Sequence, residues 1–562
     1  MQISRDIVVS KYIKNPIVVL WVGFILLLTR AWPRLFYPEV WDEDGSRNIP
    51  DFLLHGVSYI FEPVNGYLIL VPKLITLLSV SISISQYPLI STLIAWGVIL
   101  AVFYLIATTQ IKLSGGILLA IAGLLIPSDP EVFGLPIYTF WWVSLLLFII
   151  IFWDKQSVAW VGRALIIFFA SLSSPVCVVV LPLIWIRAFL LRKHQMEIGL
   201  AAFASFCVSV QTWMMWHYPD LVASSVGNIN FEVLVQVIPK FFGAYLIGNL
   251  HTSWQLQWGI VLSAFFVISL CRNRRLWVLW ALFYLWGVAV LMSMSRVNVE
   301  IIHPALAGPR YFFYPFILQS WFLLQIGFVD SSRWVRGSAW LFLLLSVMNA
   351  LPVLYRKHES LNWQAHLNSC LQFDHYNLPV HFDGSVDLAW SFLLTRQNCA
   401  ELLALDPFYS LGGIQSFPYQ IIRKSSMGII RRVPGIDRVV KNEWTGQDYY
   451  STVTGSSTLP GLKVIGSFHS ANADASEGEL ILHLYRNDQI WFRSQINAHK
   501  QKIIIVGSNG QYLDALPASS EWVLLRFSNS SLPDEFDVKF IDGGDGWGEW
   551  SAIALRKNKN VN

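Results

Sequence analysis

The sequence predicts a polytopic α-helical membrane protein that continues into a soluble, strand-rich C-terminal region. Of its 562 residues 54% are hydrophobic and only 14% are charged, which is unusual for a soluble protein. Apolar runs of about 15–20 residues recur from Ile17 to Val353, the length that suits membrane-spanning helices. After about Lys357 the chain becomes polar and its apolar residues alternate, as in strands. We therefore expect a membrane domain over residues 1–355 and soluble regions over 356–465 and 466–562.

Basic residues in the short loops predict how the spans are oriented, because Lys and Arg accumulate on the cytoplasmic side. The basic N-terminal 15 residues precede an apolar run, residues 16–32, without a small-residue cleavage site, so we expect an uncleaved first span. Residues 272–275, Arg-Asn-Arg-Arg, give the strongest cytoplasmic signal. This pattern predicts about eleven spans, a cytoplasmic N-terminus and an outer C-terminal region. The segments 67–80 and 173–175 could each change that count.

The soluble part shows two different patterns. Residues 356–465 are predicted to be mixed helical and irregular, and they contain Cys370 and Cys399. These two cysteines either form a disulfide in an oxidising compartment or are together by chance. Residues 466–562 contain short, regularly spaced strands separated by turn residues, which predicts an antiparallel β-sandwich.

The feature that most suggests chemistry is an acidic stretch, residues 39–45, directly after the first apolar run. Glu39, Asp42, Glu43 and Asp44 put four acids within six positions of the first predicted outer loop, residues 31–87. Acids next to a membrane span are costly unless they are solvated, paired or functional. Transfer of a sugar to a hydroxyl needs a carboxylate that takes the hydroxyl proton, and a second carboxylate can raise its pKa. The alternative is a solvated loop that caps a helix.

Several cations and one acid near the predicted outer face are candidates for substrate binding. A lipid-phosphate leaving group needs a fixed cation, and Lys73 and Arg310 lie at the edges of apolar segments. Each could instead be a snorkelling side chain. Arg296, His303 and Glu131 are further candidates.

Other classes of site are not indicated. No Cys/His spacing suggests zinc, so no metal site is predicted and a metal requirement is left open. No Gly-rich loop matches a nucleotide site, which argues against a soluble nucleotide-sugar donor. The net charge of +4 is too small to indicate nucleic acid, and no such partner is expected.

Two segments of the first outer loop carry a family resemblance. Residues 41–45 (Trp-Asp-Glu-Asp-Gly) and 62–73 (Glu-Pro-Val-Asn-Gly-Tyr-Leu-Ile-Leu-Val-Pro-Lys) resemble this loop in bacterial glycosyltransferases with the GT-C fold. The resemblance is closest to the serotype-converting O-antigen glucosyltransferases of phage-type glucosylation clusters, where W-x-E-D-G precedes G-Y-L-x-x-x-P-R. Lys73 stands where that pattern has Arg. Residues 131–134, 172–175 and 310–313 also resemble family segments, and the resemblance covers 16 to about 354.

The resemblance implies an inner-membrane enzyme with a periplasmic C-terminal domain and no cofactor. Its donor would be undecaprenyl-phosphate glucose and its acceptor lipid-linked O-antigen, with inversion at the anomeric carbon. A small flippase and an enzyme that charges the lipid phosphate would be functional partners. Glu43 or Asp44 would be the base, and Arg310 and Lys73 would contact phosphate. The remaining expected substrate contacts are Asp42, Asn65, Tyr67, Tyr311, Arg296, His303 and Glu131. Alternatives are a GT-C transferase for another sugar or acceptor, and a membrane transporter or flippase of lipid-linked sugars.

Overall fold

A computed structural model of the chain divides it into two units. We call Met1–Pro38, Leu54–Leu78 and Leu89–Lys357 the helical unit, and Glu39–Leu53, Ser79–Pro88 and His358–Asn562 the strand unit. The structure describes residues 15–41, 43–154, 160–192, 194–218, 231–248, 252–297, 299–356, 358–371, 375–382, 389–404, 406–407, 420–422, 433–450, 452, 462–469, 477–495, 500–507, 510–515, 522–527, 532–544 and 549–557.

Helix α1 begins at a capping signal in the sequence. In α1 the Asn15 side chain accepts a hydrogen bond from the amide of Ile17, and Pro16 occupies the first turn. The α-helices, in chain order, are α1 (Pro16–Phe36), α2 (Ile49–His55), α3 (Leu70–Ile82), α4 (Tyr87–Thr108), α5 (Ile117–Leu124), α6 (Thr139–Phe152), α7 (Trp160–Ser171), α8 (Val176–Leu190), α9 (Gln195–His217), α10 (Phe231–Val235), α11 (Ala244–Ile247), α12 (Thr252–Arg272), α13 (Trp277–Arg296), α14 (Phe313–Val329), α15 (Arg333–Ala350), α16 (Trp363–Cys370) and α17 (Arg396–Ala404).

Seven helices in the described part of the chain are long and apolar enough to cross a membrane. They include α1, whose exposed Ile17, Trp21 and Ile25 are typical of a surface that faces lipid. Five shorter apolar helices accompany them. One is α3, which covers most of the doubtful segment 67–80 and has 13 residues, too few for a full span. The total of about eleven spans therefore stays a prediction.

Helices α6 and α14 form the buried centre of the helical unit. Their aromatic side chains interlock, with the ring of Phe313 5.0 Å from that of Trp142 and the ring of Tyr314 5.6 Å from that of Phe148. Two short turns lie just before these helices, Pro130–Val132 and Pro309–Phe312. Each turn is therefore followed by a helix that is fixed by packing against the other.

The strand unit contains a hairpin and two five-stranded sheets within the described residues. All of their strand pairings are antiparallel. The hairpin pairs β1 with β2, and the sheets have the orders β3-β10-β7-β12-β5 and β4-β6-β11-β8-β9. The strands are β1 (His375–Val380), β2 (Trp390–Thr395), β3 (Gln420–Ile422), β4 (Val439–Asn442), β5 (Leu462–Gly466), β6 (Gly478–Tyr485), β7 (Gln489–Ser494), β8 (Gln501–Gly507), β9 (Gly510–Ala515), β10 (Val523–Arg526), β11 (Glu535–Asp542) and β12 (Ser551–Arg556).

The two larger sheets pack face to face as a β-sandwich. One core holds Leu482 and Phe540 from one sheet together with Phe492 and Ile553 from the other. Strands β3, β4 and β5 all begin before residue 466, where the sandwich region was predicted to start. The short edge strand β4 is largely exposed and has the sequence Val-Val-Lys-Asn, so it lacks the alternation that marks a strand in a sequence.

The predicted first outer loop, residues 31–87, is divided between the two units. The sequence pattern placed the whole loop in the membrane domain, and in the structure Glu39–Leu53 and Ser79–Pro88 belong to the strand unit. The reason is hydrophobic burial: Val40, Ile49 and Ile84 lie in the same core cluster as Leu378 and Val380 of β1. These contacts join segments that are some 300 residues apart, which no local pattern reveals.

Candidate functional site

The acidic stretch runs along the end of the β1–β2 hairpin. The carbonyl oxygen of Val40 accepts a hydrogen bond from the amide of His381 at 2.8 Å, and Trp41 forms a parallel bridge with His381. The buried Trp41 ring lies 5.6 Å from the ring of His358 and 5.0 Å from that of His381. The backbone of the acidic stretch is therefore fixed immediately before its acids.

The two predicted catalytic acids have different surroundings. Glu43 is half-buried, and its side chain forms no hydrogen bond or ion pair within the described part of the chain. Asp44 is only 1% exposed. One of its oxygens accepts a hydrogen bond from the Asn48 amide at 3.4 Å, and its backbone amide donates to the carbonyl of Trp41 at 3.0 Å. Asp42 lies outside the described residues. Of the two catalytic candidates, Glu43 is therefore the more accessible.

Glu39 has a third kind of environment. It is 8% exposed, and its Oε1 accepts hydrogen bonds from the Ser360 hydroxyl at 2.6 Å and from the amides of Leu361 and Asn362 at 2.9 and 3.2 Å. Burial raises the pKa of Glu39 to about 7, although these hydrogen bonds favour the charged form. Glu39 is thus held internally, directly before helix α16.

In the helical unit, Arg310 and Glu131 form an ion pair between the two short turns before α6 and α14. A guanidinium nitrogen of Arg310 donates to Glu131 and, at 2.9 Å, to the Tyr138 hydroxyl, while the Arg310 amide donates to Glu131 at 3.0 Å. Burial favours a raised pKa for Glu131, but the charges of Arg310 and Arg356 and the hydrogen bonds outweigh it and lower that pKa. The Arg310 side chain is still 32% exposed.

Further arginines hold the turn that carries Glu131. Arg30 and Arg34, both in α1, donate to backbone carbonyl oxygens of residues 128–133. Arg356 pairs with Asp129, with 2.6 Å between nitrogen and oxygen. Buried charged groups are costly unless they are paired or hydrogen-bonded in this way. The turn is therefore held by arginines that lie near the start and near the end of the helical unit in the sequence.

A second group of predicted residues surrounds Tyr67. Asn65 and Gly66 have φ angles of 52° and 84°, the left-handed values that an Asn-Gly turn requires. This turn presents the Tyr67 ring, which lies 5.7 Å from the Arg296 guanidinium carbon and 6.3 Å from the ring of Phe140. Asn65 thus has a structural role in the turn, while Tyr67 and Arg296 form a cation–aromatic pair.

A hydrogen bond from the end of α13 links the residues around Tyr67 to those around Arg310. The Ser293 hydroxyl, one helical turn before Arg296, donates to the carbonyl of Tyr311 at 2.8 Å. The half-buried Tyr311 ring lies 5.4 Å from the guanidinium carbon of Arg310. The helical unit therefore gathers five of the predicted substrate-binding residues in one region: Tyr67, Glu131, Arg296, Arg310 and Tyr311.

Lys73 does not present a free charge. Its side chain is 0% exposed, and its ammonium donates to the Tyr59 carbonyl at 2.7 Å while lying 4.9 Å from the Tyr59 ring. The Tyr59 hydroxyl donates in turn to the carbonyl of Lys73. Its predicted contact with phosphate would require this interaction to be broken.

Both ring nitrogens of His303 are also engaged in hydrogen bonds. Its Nδ1 accepts from the amide of Ala305 at 3.1 Å, so Nε2 carries the proton and donates to the Gly248 carbonyl at 3.2 Å. Burial lowers the pKa of His303, and the nearby charge of Lys240 acts in the same direction. His303 is therefore a neutral hydrogen-bonding group at neutral pH.

Sequence reasoning missed the residues that organise this region. Tyr138 and Arg34 carry no motif that distinguishes them from other aromatic and basic residues near spans. Asp129 could have been noticed, because it shares a proline-flanked segment with Glu131 and an acid beside a span needs a partner. Among the described residues, no group of three or more His, Cys, Asp or Glu side chains is arranged to hold a metal ion.

Comparisons with known proteins give little guidance. No protein-family model matches the chain, and no curated protein matches it. Among solved structures, it aligns with the cryo-EM structure of the arabinosyltransferase EmbB from Mycobacterium smegmatis at 14% identity and a TM-score of 0.24. The alignment covers 97% of this chain and 63% of that one, so the chain spans less than two thirds of its neighbour's length. Similarity this low carries no functional argument, and the function must follow from the chain's own residues.

Proposed function

We propose that the chain is an integral membrane glycosyltransferase with Glu43 as its general base. The proposed donor is undecaprenyl-phosphate glucose, and the proposed acceptor is lipid-linked O-antigen on the periplasmic face. The seven membrane-length helices, and the acidic stretch that follows the first of them in the sequence, support this assignment. The resemblance of residues 41–45 and 62–73 to GT-C loops suggests the donor and acceptor.

The observation that carries the proposal is the state of Glu43. A general base must be ionised, accessible and held in place. Glu39 and Asp44 are buried and hydrogen-bonded, whereas Glu43 is half-buried and has no partner within the described residues. It lies between backbone that is fixed at Val40 and at Gly45. Glu43 is therefore the acid that is both supported and available.

The proposed reaction is a single displacement. The acceptor hydroxyl oxygen forms a bond to the anomeric carbon while Glu43 takes the hydroxyl proton. The bond between that carbon and the phosphate oxygen breaks, and its electron pair stays on the lipid phosphate. Because attack and departure occur on opposite faces of the sugar, the anomeric configuration inverts. No cofactor takes part in this scheme.

The proposed contacts to the donor phosphate are Arg310 and Arg296. Glu131 and Tyr138 orient the guanidinium of Arg310 and leave part of it exposed, which suits binding of a phosphate oxygen. The rings of Tyr67 and Tyr311 beside these arginines would pack against the sugar. Asp42, Asn65, Lys73 and His303 remain proposed substrate contacts on the resemblance and the sequence pattern alone.

The proposed setting is the bacterial inner membrane, with a cytoplasmic N-terminus and a periplasmic strand unit. A small flippase and an enzyme that charges the lipid phosphate are the proposed functional partners. A reporter fused after Asn562 tests the orientation. Activity of a periplasm-specific reporter is expected, and activity of a cytoplasm-specific reporter would contradict it.

Mass spectrometry of the host's lipopolysaccharide tests the function. We expect one added hexose per repeat when the chain is expressed, loss of that mass with Glu43→Gln, and retention with Glu535→Gln. The latter is a matched control, because the Glu535 side chain is exposed on the sandwich. If no mass is added and lipid-linked sugar accumulates on one side of the membrane, the chain is a transporter instead.

A further inference from the structure

The acidic stretch is attached to the strand unit on both sides of Glu43. Before it, the Val40 carbonyl is bonded to His381, directly after β1. After it, Gly45 packs so tightly that a Cβ there would lie 2.3 Å from a methyl carbon of Val380. Only four residues separate Val40 from Gly45, so these contacts restrict where the Glu43 side chain can be.

Glu39 provides a third attachment. Its Oε1 accepts hydrogen bonds from three consecutive residues, 360–362, at the start of α16. A carboxylate in this place also interacts favourably with the positive end of the helix dipole. Removing the acceptor would take away the hydrogen-bond partner that the Ser360 hydroxyl and the two backbone amides share.

The β1–β2 hairpin, whose end contacts Val40 and Gly45, is flanked in the sequence by two helices that a disulfide joins. The disulfide between Cys370 and Cys399 joins the end of α16 to α17, with 6.1 Å between the Cα atoms. Those helices lie on either side of β1 and β2 in the sequence, and both cysteines are fully buried with Val380 in one core cluster. The disulfide thereby links α16 directly to α17.

We propose that residues 358–371, 375–382 and 389–404 form a scaffold for the acidic stretch and that Glu39 is the positioning residue that sets the Glu43 carboxylate. The Cys370–Cys399 disulfide keeps this scaffold in its working form. Only the link between the position of the Glu43 carboxylate and the transfer rate rests on the proposed function. A soluble segment far along the chain thus controls chemistry assigned to the first loop, and reduction of one disulfide would lower the activity.

Two substitutions of Glu39 separate positioning from chemistry. Glu39→Gln keeps an acceptor oxygen for residues 360–362, and we expect less than about a tenfold loss of transfer rate. Glu39→Leu has a similar size but no acceptor, and we expect about a 10²-fold loss in kcat with little change in the KM for the donor, since a displacement of 1 Å can have that effect. An equal and complete loss in both variants would show that Glu39 is itself the base and overturn the proposal.

A double variant tests whether Glu39 acts through Glu43. If it does, Glu39→Leu lowers the rate of the native protein but not the residual rate of Glu43→Gln. Equal factors in both backgrounds would mean a general loss of structure and would contradict the proposed role.

Hydrogen exchange of the full-length protein tests the scaffold independently of any activity. Reduction of the Cys370–Cys399 disulfide, or Glu39→Leu, should increase exchange in residues 39–53 while leaving α14 unchanged. Unchanged protection of residues 39–53 in both cases would refute the scaffold. Increased exchange with unchanged transfer would retain the scaffold but refute the proposed role of Glu43.

Discussion

Gly45→Ala is the substitution whose consequence follows most directly from the geometry. The backbone of Gly45 needs no left-handed φ, so alanine is conformationally acceptable and only its methyl group matters. That methyl would lie 2.3 Å from a Val380 methyl carbon and 2.8 Å from one of Val40, whereas carbon atoms in contact are about 3.5–4.0 Å apart. Relief of the closer contact requires a shift of about 1.2 Å or more.

The size of the effect follows from that shift. Both valines are buried in the same core cluster, so the acidic stretch has to move, at a cost of about 1–3 kcal/mol in stability. A displacement of about 1 Å at Glu43, two residues away, would lower the transfer rate by about 10²-fold. We expect Gly45→Ala to remain in the membrane with this loss of rate, measured with purified protein and a lipid-linked sugar donor.

A second substitution shows whether the collision is the cause. Val380→Ala removes the methyl carbon that meets the new Cβ, so Gly45→Ala combined with Val380→Ala should recover part of the lost rate. Val380→Ala alone serves as the control, because its cavity lowers stability without crowding Glu43. A fully active Gly45→Ala protein, or a double variant no better than Gly45→Ala, would refute the reasoning.

Three further predictions concern other parts of the chain. Arg310→Met and Glu131→Gln should each lower thermal stability in detergent, and the double variant should lose less than the sum by about 1–3 kcal/mol; additive losses would show that the pair is not coupled. Asp542 keeps its proton to about pH 7 because burial raises its pKa from 3.8. Between pH 3.8 and about pH 7 the folded protein therefore binds one proton more than the unfolded chain. Its free energy of unfolding should fall as the pH rises through this range, by at most about 1.4 kcal/mol per pH unit. Asp542→Asn should flatten this dependence of thermal stability on pH. Cys370 and Cys399 should resist alkylation until a reductant is added, and labelling of both without reductant would contradict the disulfide.

The sequence predicted those features that depend on local pattern. Apolar runs predicted the membrane helices, and alternation predicted the strands of the sandwich. The acids of residues 39–45 stood out because charged groups beside a span need a reason. Arg310 and Glu131 were each singled out on similar grounds, although nothing local showed that they pair.

What the sequence did not predict depends on contacts between distant segments. The packing of Gly45 on Val380 joins residues that lie 335 positions apart. Lys73 was expected to contact phosphate, whereas in the structure its ammonium donates to the carbonyl oxygen of Tyr59. Tyr138 became visible only through its hydrogen bond to Arg310. In each case the tertiary fold, not the residue type, decides what the side chain does.

The most direct test of the central claim is the transfer rate of Glu43→Gln, measured with purified protein, undecaprenyl-phosphate glucose and lipid-linked O-antigen. Glutamine preserves the size of the side chain and removes the group that takes the proton. The account predicts a rate at least about 10²-fold below that of the native protein, with unchanged thermal stability and donor binding. Transfer by Glu43→Gln at the native rate would contradict it.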